Sequence, residues 1–179
     1  MSIYLSSEEK EERLAAKNKL ARATVLILIE DKFLRLYVRR IFREILEIQN
    51  TVECTTISEA KNYLYARAGK NLSCVISSMR FVDGSTGEEF LRFARSTYRS
   101  VVAPFILIGD NTDASVQYAF LVKHFAGHIS QPFTPSEFVH MLLEVFMVRD
   151  RRREQRELAN SEKNSRPFNR LYEGDSNGS

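Results

Sequence analysis

Cysteine is nearly absent from this 179-residue chain, with two residues, Cys54 and Cys74. Neither sits at metal-ligand spacing or in a disulfide framework, so both are read as small apolar residues in or near strands. Long hydrophobic runs are also missing. The longest aliphatic stretch is Val25 to Ile29, far short of the roughly 18 residues a membrane helix needs. The first residues, MSIYLSSEEKEER, turn polar and acidic after three apolar positions, which leaves no secretory h-region. A cytoplasmic protein with no membrane span is the expectation. Histidine is scarce: His124 and His128 fall on different predicted elements and His140 stands alone on a third, so no metal site is expected. A formal charge of +3 is too small to name a partner, and no internal repeat is present. What remains, 44% hydrophobic and 27% charged residues, is globular composition.

Along the chain three regions separate. Residues 1–22 form an N-terminal helical extension, with Ser6 three residues before Glu9 as a capping pair and the helix formers EEKEERLAAKNKLA behind it. Its apolar positions are few (Leu14, Ala15, Leu20), so it needs the domain or a partner to pack on. Residues 23–148 alternate between strand and helix periods. Apolar runs predict strands over 23–29, 51–57, 72–77, 104–109 and 127–130. Helical periodicity predicts helices over 33–46, 58–68, 87–98, 114–125 and 135–148. Such alternation implies right-handed crossovers and an α/β fold: a five-stranded parallel sheet of flavodoxin-like order 2-1-3-4-5, with helices on both faces. Residues 149–179 form a basic tail, helical at first and disordered at its end. In it Arg149, Arg151, Arg152, Arg153, Arg156, Lys163, Arg166 and Arg170 stand against Asp150, Glu154, Glu157 and Glu162.

Local sequences sharpen this reading. ATVLILIEDKFLRLYVRRIF resembles the first strand, acidic turn and first helix of a two-component response-regulator receiver domain. SSMRFVDGSTGEEFLRFAR resembles the loop after the third strand, PFILIG the fourth strand, and HISQPFTPSEFVHML the Lys-Pro-Phe segment with its cis-proline loop and last helix. The resemblance implies an aspartate nucleophile, a magnesium ion held by that aspartate and an acidic pair, a lysine opposite the phosphoryl group, and a Ser/Thr and an aromatic that relay its arrival. At those positions this chain carries Ser78 for the acceptor, Gly109 for the switch hydroxyl, Gln131 for the lysine and His128 for the switch aromatic. The acidic pair persists as Glu30 and Asp31. The pattern resembles a degenerate pseudo-receiver: no aspartyl-phosphate chemistry, no catalytic residue, no cofactor or metal, and no cation opposite a phosphoryl group.

Two surfaces stand out for partners. In the helix predicted over 135–148, Phe138, Met141, Leu142, Val145 and Phe146 form one apolar stripe, while Val139, Leu143 and Met147 form a second. One stripe suffices to cover a sheet. The second predicts a contact with another signalling protein or a second copy, through the face built by 114–125, 127–130 and 135–148. The competing reading is that the flanking tails cover it. The other surface is the arginine run Arg151, Arg152 and Arg153. Its interleaved acids suit a solvated helix, and nucleic acid is not expected as its partner. The expected function is therefore non-enzymatic: a phosphorylation-independent protein–protein interaction or scaffolding module in bacterial signalling. The rivals are a small-ligand sensor using the vacated pocket and a nucleic-acid binder using the basic tail.

Overall fold

A computed structural model describes residues 7–20, 24–67, 72–97, 103–110 and 125–164. In chain order these form α1 (Ser7–Leu20), β1 (Thr24–Leu28), α2 (Lys32–Arg40, prolonged by a π-helical turn over Ile41–Ile45), β2 (Thr51–Cys54), α3 (Ile57–Arg67), β3 (Leu72–Ser78), α4 (Gly87–Thr97), β4 (Phe105–Asp110), β5 (Gly127–Gln131) and α5 (Pro135–Asn164). The five strands make one sheet of order β2-β1-β3-β4-β5. Every neighbouring pair is parallel. This is the predicted 2-1-3-4-5 arrangement.

The sheet is buried on both faces because its central strands are apolar without interruption. Side chains alternate across a strand, so Val25, Ile27 and Ile29 enter one core with α1, α2 and α5. Leu26 and Leu28 enter the other with α3 and α4. Among the described residues, no helix is long and apolar enough to cross a membrane.

Helix starts are set by short-range hydrogen bonds. Asp31 caps α2, its Oδ1 accepting from Leu34 N at 2.6 Å. Three further helices begin with Thr/Glu pairs, Thr56–Glu59, Thr86–Glu89 and Thr134–Glu137, in each of which the glutamate N–H donates to the threonine hydroxyl; the carboxylate accepts in return from the same threonine's N–H at Thr86 and Thr134, and from Thr55 in α3. These pairs satisfy amide groups that a helix start leaves without partners. They also explain a boundary. The strand predicted over 51–57 stops at Cys54, because Thr55 donates from both N and Oγ1 to Glu59, and Thr56 caps α3.

Two expectations for helices change. The helix predicted over 33–46 ends its α-turns at Arg40, and the one predicted over 135–148 runs on to Asn164 through helix-forming residues with no proline or glycine to stop it. The helix predicted over 114–125 lies outside the described residues, apart from Phe125, which is not helical. By compactness the chain divides into Met1–Phe146 and Met147–Ser179.

The exposed second stripe expected on the last helix is corrected. Phe138, Val139, Met141, Leu142, Leu143, Val145 and Phe146 are all buried, and of the eight residues singled out only Met147 is exposed. They share one core with Val25, Ile27 and Ile29 of β1, with Val38 and Phe42, and with Ala16 and Leu20 of α1, and Lys17 of α1 forms an ion pair with Glu47 after the π-helical turn. Packing within the chain thus buries the surface that a partner was expected to cover.

Candidate functional site

The carboxyl ends of β1, β3, β4 and β5 open into one cleft of about 720 Å³, the usual ligand position in an open parallel sheet. Glu30, Asp31, Ser78, Gly109 and Gln131, far apart in sequence, all line it. Lys32 and Arg80 line it too, two cations that the sequence reading did not single out. Both flank residues already singled out, Lys32 next to Asp31 and Arg80 two after Ser78. Their neighbours were the available signal.

The acidic pair serves the fold. Glu30 Oε2 accepts from Val82 N at 2.7 Å, tying the loop after β3 to the end of β1. Asp31 is the cap of α2. Behind them Arg35 donates to the carbonyls of Ile29 and Glu30 at 2.8 and 2.9 Å, and it shares Glu53 with Arg39. The loop folds back on itself: Phe81 N donates to Ser85 O and Gly84 N to Phe81 O, each at 3.0 Å. Gly84 takes φ +83° there, a left-handed conformation that suits glycine.

The floor of the cleft is closed by backbone. Ser77 is fully buried and its Oγ donates to Ser78 O at 2.9 Å. Gly87 N donates to Met79 O at 3.0 Å. A Cβ on Gly87 would meet Ser78 O at 2.5 Å and Ser77 Oγ at 2.7 Å, so α4 starts here only because the residue is glycine. At Gly109 a Cβ would lie 3.3 Å from His128 Nε2 and 3.6 Å from Met79 Sδ. The imidazole thus stands close beside the place where a side chain at position 109 would begin. Burial holds the His128 pKa below the usual imidazole value, favouring the neutral ring.

The wall beyond β5 is aromatic. Gln131–Pro132 is a cis peptide, as the resemblance implies, and Tyr37 Oη donates to Phe133 O at 3.1 Å. Phe133 stacks on Phe138 with ring centroids 5.5 Å apart. This side therefore locks α2, the proline loop and α5 together.

The residues present do not fit a magnesium ion. That ion demands several oxygen ligands in near-octahedral order. Here β3 supplies a serine in place of a carboxylate, one oxygen of each remaining acid is engaged by a backbone N–H, and two cationic side chains line the same cleft. Among the described residues, no three His, Cys, Asp or Glu side chains gather as a metal site. Both cysteines are buried and neither is in a disulfide, and burial, with Glu59 nearby, pushes the Cys54 thiol up to about 11, which suppresses its thiolate chemistry.

Two large apolar side chains near the cleft are exposed. Val82, in its lining, is 92% exposed, and Phe33, between the lining residues Lys32 and Leu34, is 80% exposed. In the second compact unit Arg151, Arg152 and Arg153 are all exposed on helix. Arg153 Nε donates to Glu157 Oε1 at 2.8 Å.

No protein-family model and no curated protein matches the sequence significantly. Solved structures do match. A response regulator receiver domain protein from Clostridium thermocellum aligns with TM-score 0.59 at 10% identity, covering 72% of this chain and 97% of that one. A response regulator from Chloroflexus aurantiacus gives TM-score 0.59 at 17% identity, with 69% and 96% covered. A chemotaxis protein from Vibrio cholerae gives 0.56 at 19% identity, with 69% and 98% covered. The fold is that of response-regulator receiver domains.

Proposed function

We propose that this chain is a pseudo-receiver: a phosphorylation-independent, non-enzymatic module that binds another protein in a bacterial signalling pathway. The cleft carries the reading. In the position of a phosphoryl site it has serine for the nucleophile, glycine for the reporting hydroxyl and glutamine for the lysine, and its acids are tied to backbone amides. A serine hydroxyl needs a positioned base to become a nucleophile, and a phosphoryl group needs a metal clamp that these residues do not supply.

With magnesium and a small phosphodonor the protein should acquire no hydroxylamine-labile phosphoryl group, and Ser78→Asp alone should not change that. Mass spectrometry reads both. Stoichiometric labelling of Ser78→Asp would mean that Gln131 and Gly109 are compatible with phosphoryl transfer, and the reading would fail.

The docking surface is assigned to the cleft mouth, where Phe33 and Val82 present apolar area beside the charged Lys32 and Asp31. Exposed aromatic anchors with charged rims are what protein interfaces use. Affinity capture from nuclease-treated lysate should retain a specific protein, and Phe33→Ser should lower its recovery at least about tenfold, as expected for losing a hot-spot contact. Retention unaffected by Phe33→Ser and Val82→Ser would remove the surface from this face.

Lys32 and Arg80 in the cleft favour one second reading, a small anionic ligand in place of the phosphoryl group. A cleft of this size suits one. A concentration-dependent rise in Tm with an anionic metabolite pool, lost in Lys32→Ala, would support it.

A further inference from the structure

We propose that α1 is a releasable strap: it opens away from the domain as a unit while the sheet stays folded, and in closing it seals one end of the core between the sheet, α2 and α5. The proposal does not rest on the reading of the cleft.

The anchorage of α1 is small. Of its described side chains, Ala16 and Leu20, one turn apart, are fully buried, whereas those from Ser7 to Ala15 are exposed. A helix of 14 residues with so little apolar surface does not hold its shape alone, so α1 depends on docking these two side chains. They enter the core that also holds Val38, Phe42 and Leu46. Beside them Lys17 pairs with Glu47. Both partners of that pair are partly in water, where an ion pair adds little. The strand that follows is held differently. β1 lies between β2 and β3, and Val25 to Leu28 have no exposed surface. Opening α1 therefore takes far less free energy than opening the sheet, and local openings follow that order.

The backbone beneath α1 is shaped for this contact. Leu20 shortly precedes β1 and Glu47 shortly precedes β2, so α1 docks at the amino ends of the strands, opposite the cleft. There α2 widens into its π-helical turn, with Leu46 N donating to Ile41 O at 3.0 Å and Ile48 N to Phe42 O at 2.8 Å. Glu47 has φ +56°, and among the described residues no other non-glycine residue has a positive φ. A non-glycine residue in the left-handed region is strained, and such strain persists where surrounding contacts over-determine it. Irregular backbone is thus concentrated where α1 arrives. It sends Leu46 into the shared core and leaves Glu47 outside to meet Lys17. Release of α1 withdraws Ala16 and Leu20 from that core and opens its apolar end to water.

Hydrogen exchange on the full chain tests the strap. Amides of α1 should exchange at least about a hundredfold faster than those of β1 and β3, yet more slowly than those of a free peptide. Leu20→Ser should abolish the protection of α1, leave that of the sheet within about tenfold, and raise the binding of an apolar dye. Lys17→Glu, which removes no buried side chain, should speed α1 exchange roughly two- to fivefold, the worth of an exposed pair, and adding Glu47→Lys should restore it. Exchange of α1 at the rate of the sheet would overturn the proposal, because α1 would then open only with the whole domain. Exchange at the rate of a free peptide would overturn it too, because α1 would never close. Joint loss of α1 and sheet protection in Leu20→Ser, or a charge swap that restores nothing, would likewise count against it.

Discussion

Phe138→Ala should lower the unfolding free energy by about 3–5 kcal/mol, the range for truncating a fully buried aromatic. Phe138 has no exposed surface. It meets Phe42 edge-on, with centroids 5.7 Å apart at 87°, and stacks on Phe133. Its removal opens a cavity between α2 and α5 that neither element can close, because Tyr37 holds α2 to the proline loop through the Phe133 carbonyl. The damage should therefore reach the cleft, where Gln131 precedes that loop. Urea denaturation measures the loss. Met147→Ala, at the exposed end of the same helix, should stay within about 0.5 kcal/mol of the parent. Equal losses at the two positions would contradict the burial that distinguishes them.

Gly87→Ala should cost about 1–3 kcal/mol, the range for forcing an extra carbon into a packed site, even though alanine is the better helix former. The added Cβ meets a backbone oxygen, Ser78 O, at 2.5 Å, and a carbonyl cannot rotate away as a side chain can. Relief requires α4 to move off the end of β3, which stretches the Gly87 N to Met79 O bond on the cleft floor. The urea midpoint should fall, and amide exchange at position 87 should accelerate. An unchanged midpoint with unchanged exchange would show that α4 shifts freely, so that the glycine is not what sets its approach to β3.

Much of this molecule was legible from residue patterns. Uninterrupted apolar runs such as Val25 to Ile29 mark strands covered on both faces, and their alternation with helical periods leaves few topologies. The serine, glycine and glutamine at positions 78, 109 and 131 were equally visible, because residue type is read directly from the chain, and the fold brings all three to one cleft. Boundaries were less legible. Thr55 and Thr56 read as strand formers, and only the Thr/Glu box that begins α3 shows why they leave the strand.

Sequence by itself thus determined the architecture and the residue types that line the cleft. The tertiary structure decided the rest. Periodicity states that Val139 and Leu143 require burial, but not what buries them, and the answer was a core shared with Ala16 and Leu20 more than a hundred residues away. A carboxylate's type does not reveal which amide takes its lone pairs: Glu30 meets the N–H of Val82, and Asp31 that of Leu34. Nor does a glycine disclose its neighbours, whether Ser78 O beside Gly87 or the His128 ring beside Gly109. Patterns along a chain record each residue's preference for water or core. Packing and hydrogen bonding join residues distant in sequence, so only the folded chain fixes which partner meets that preference.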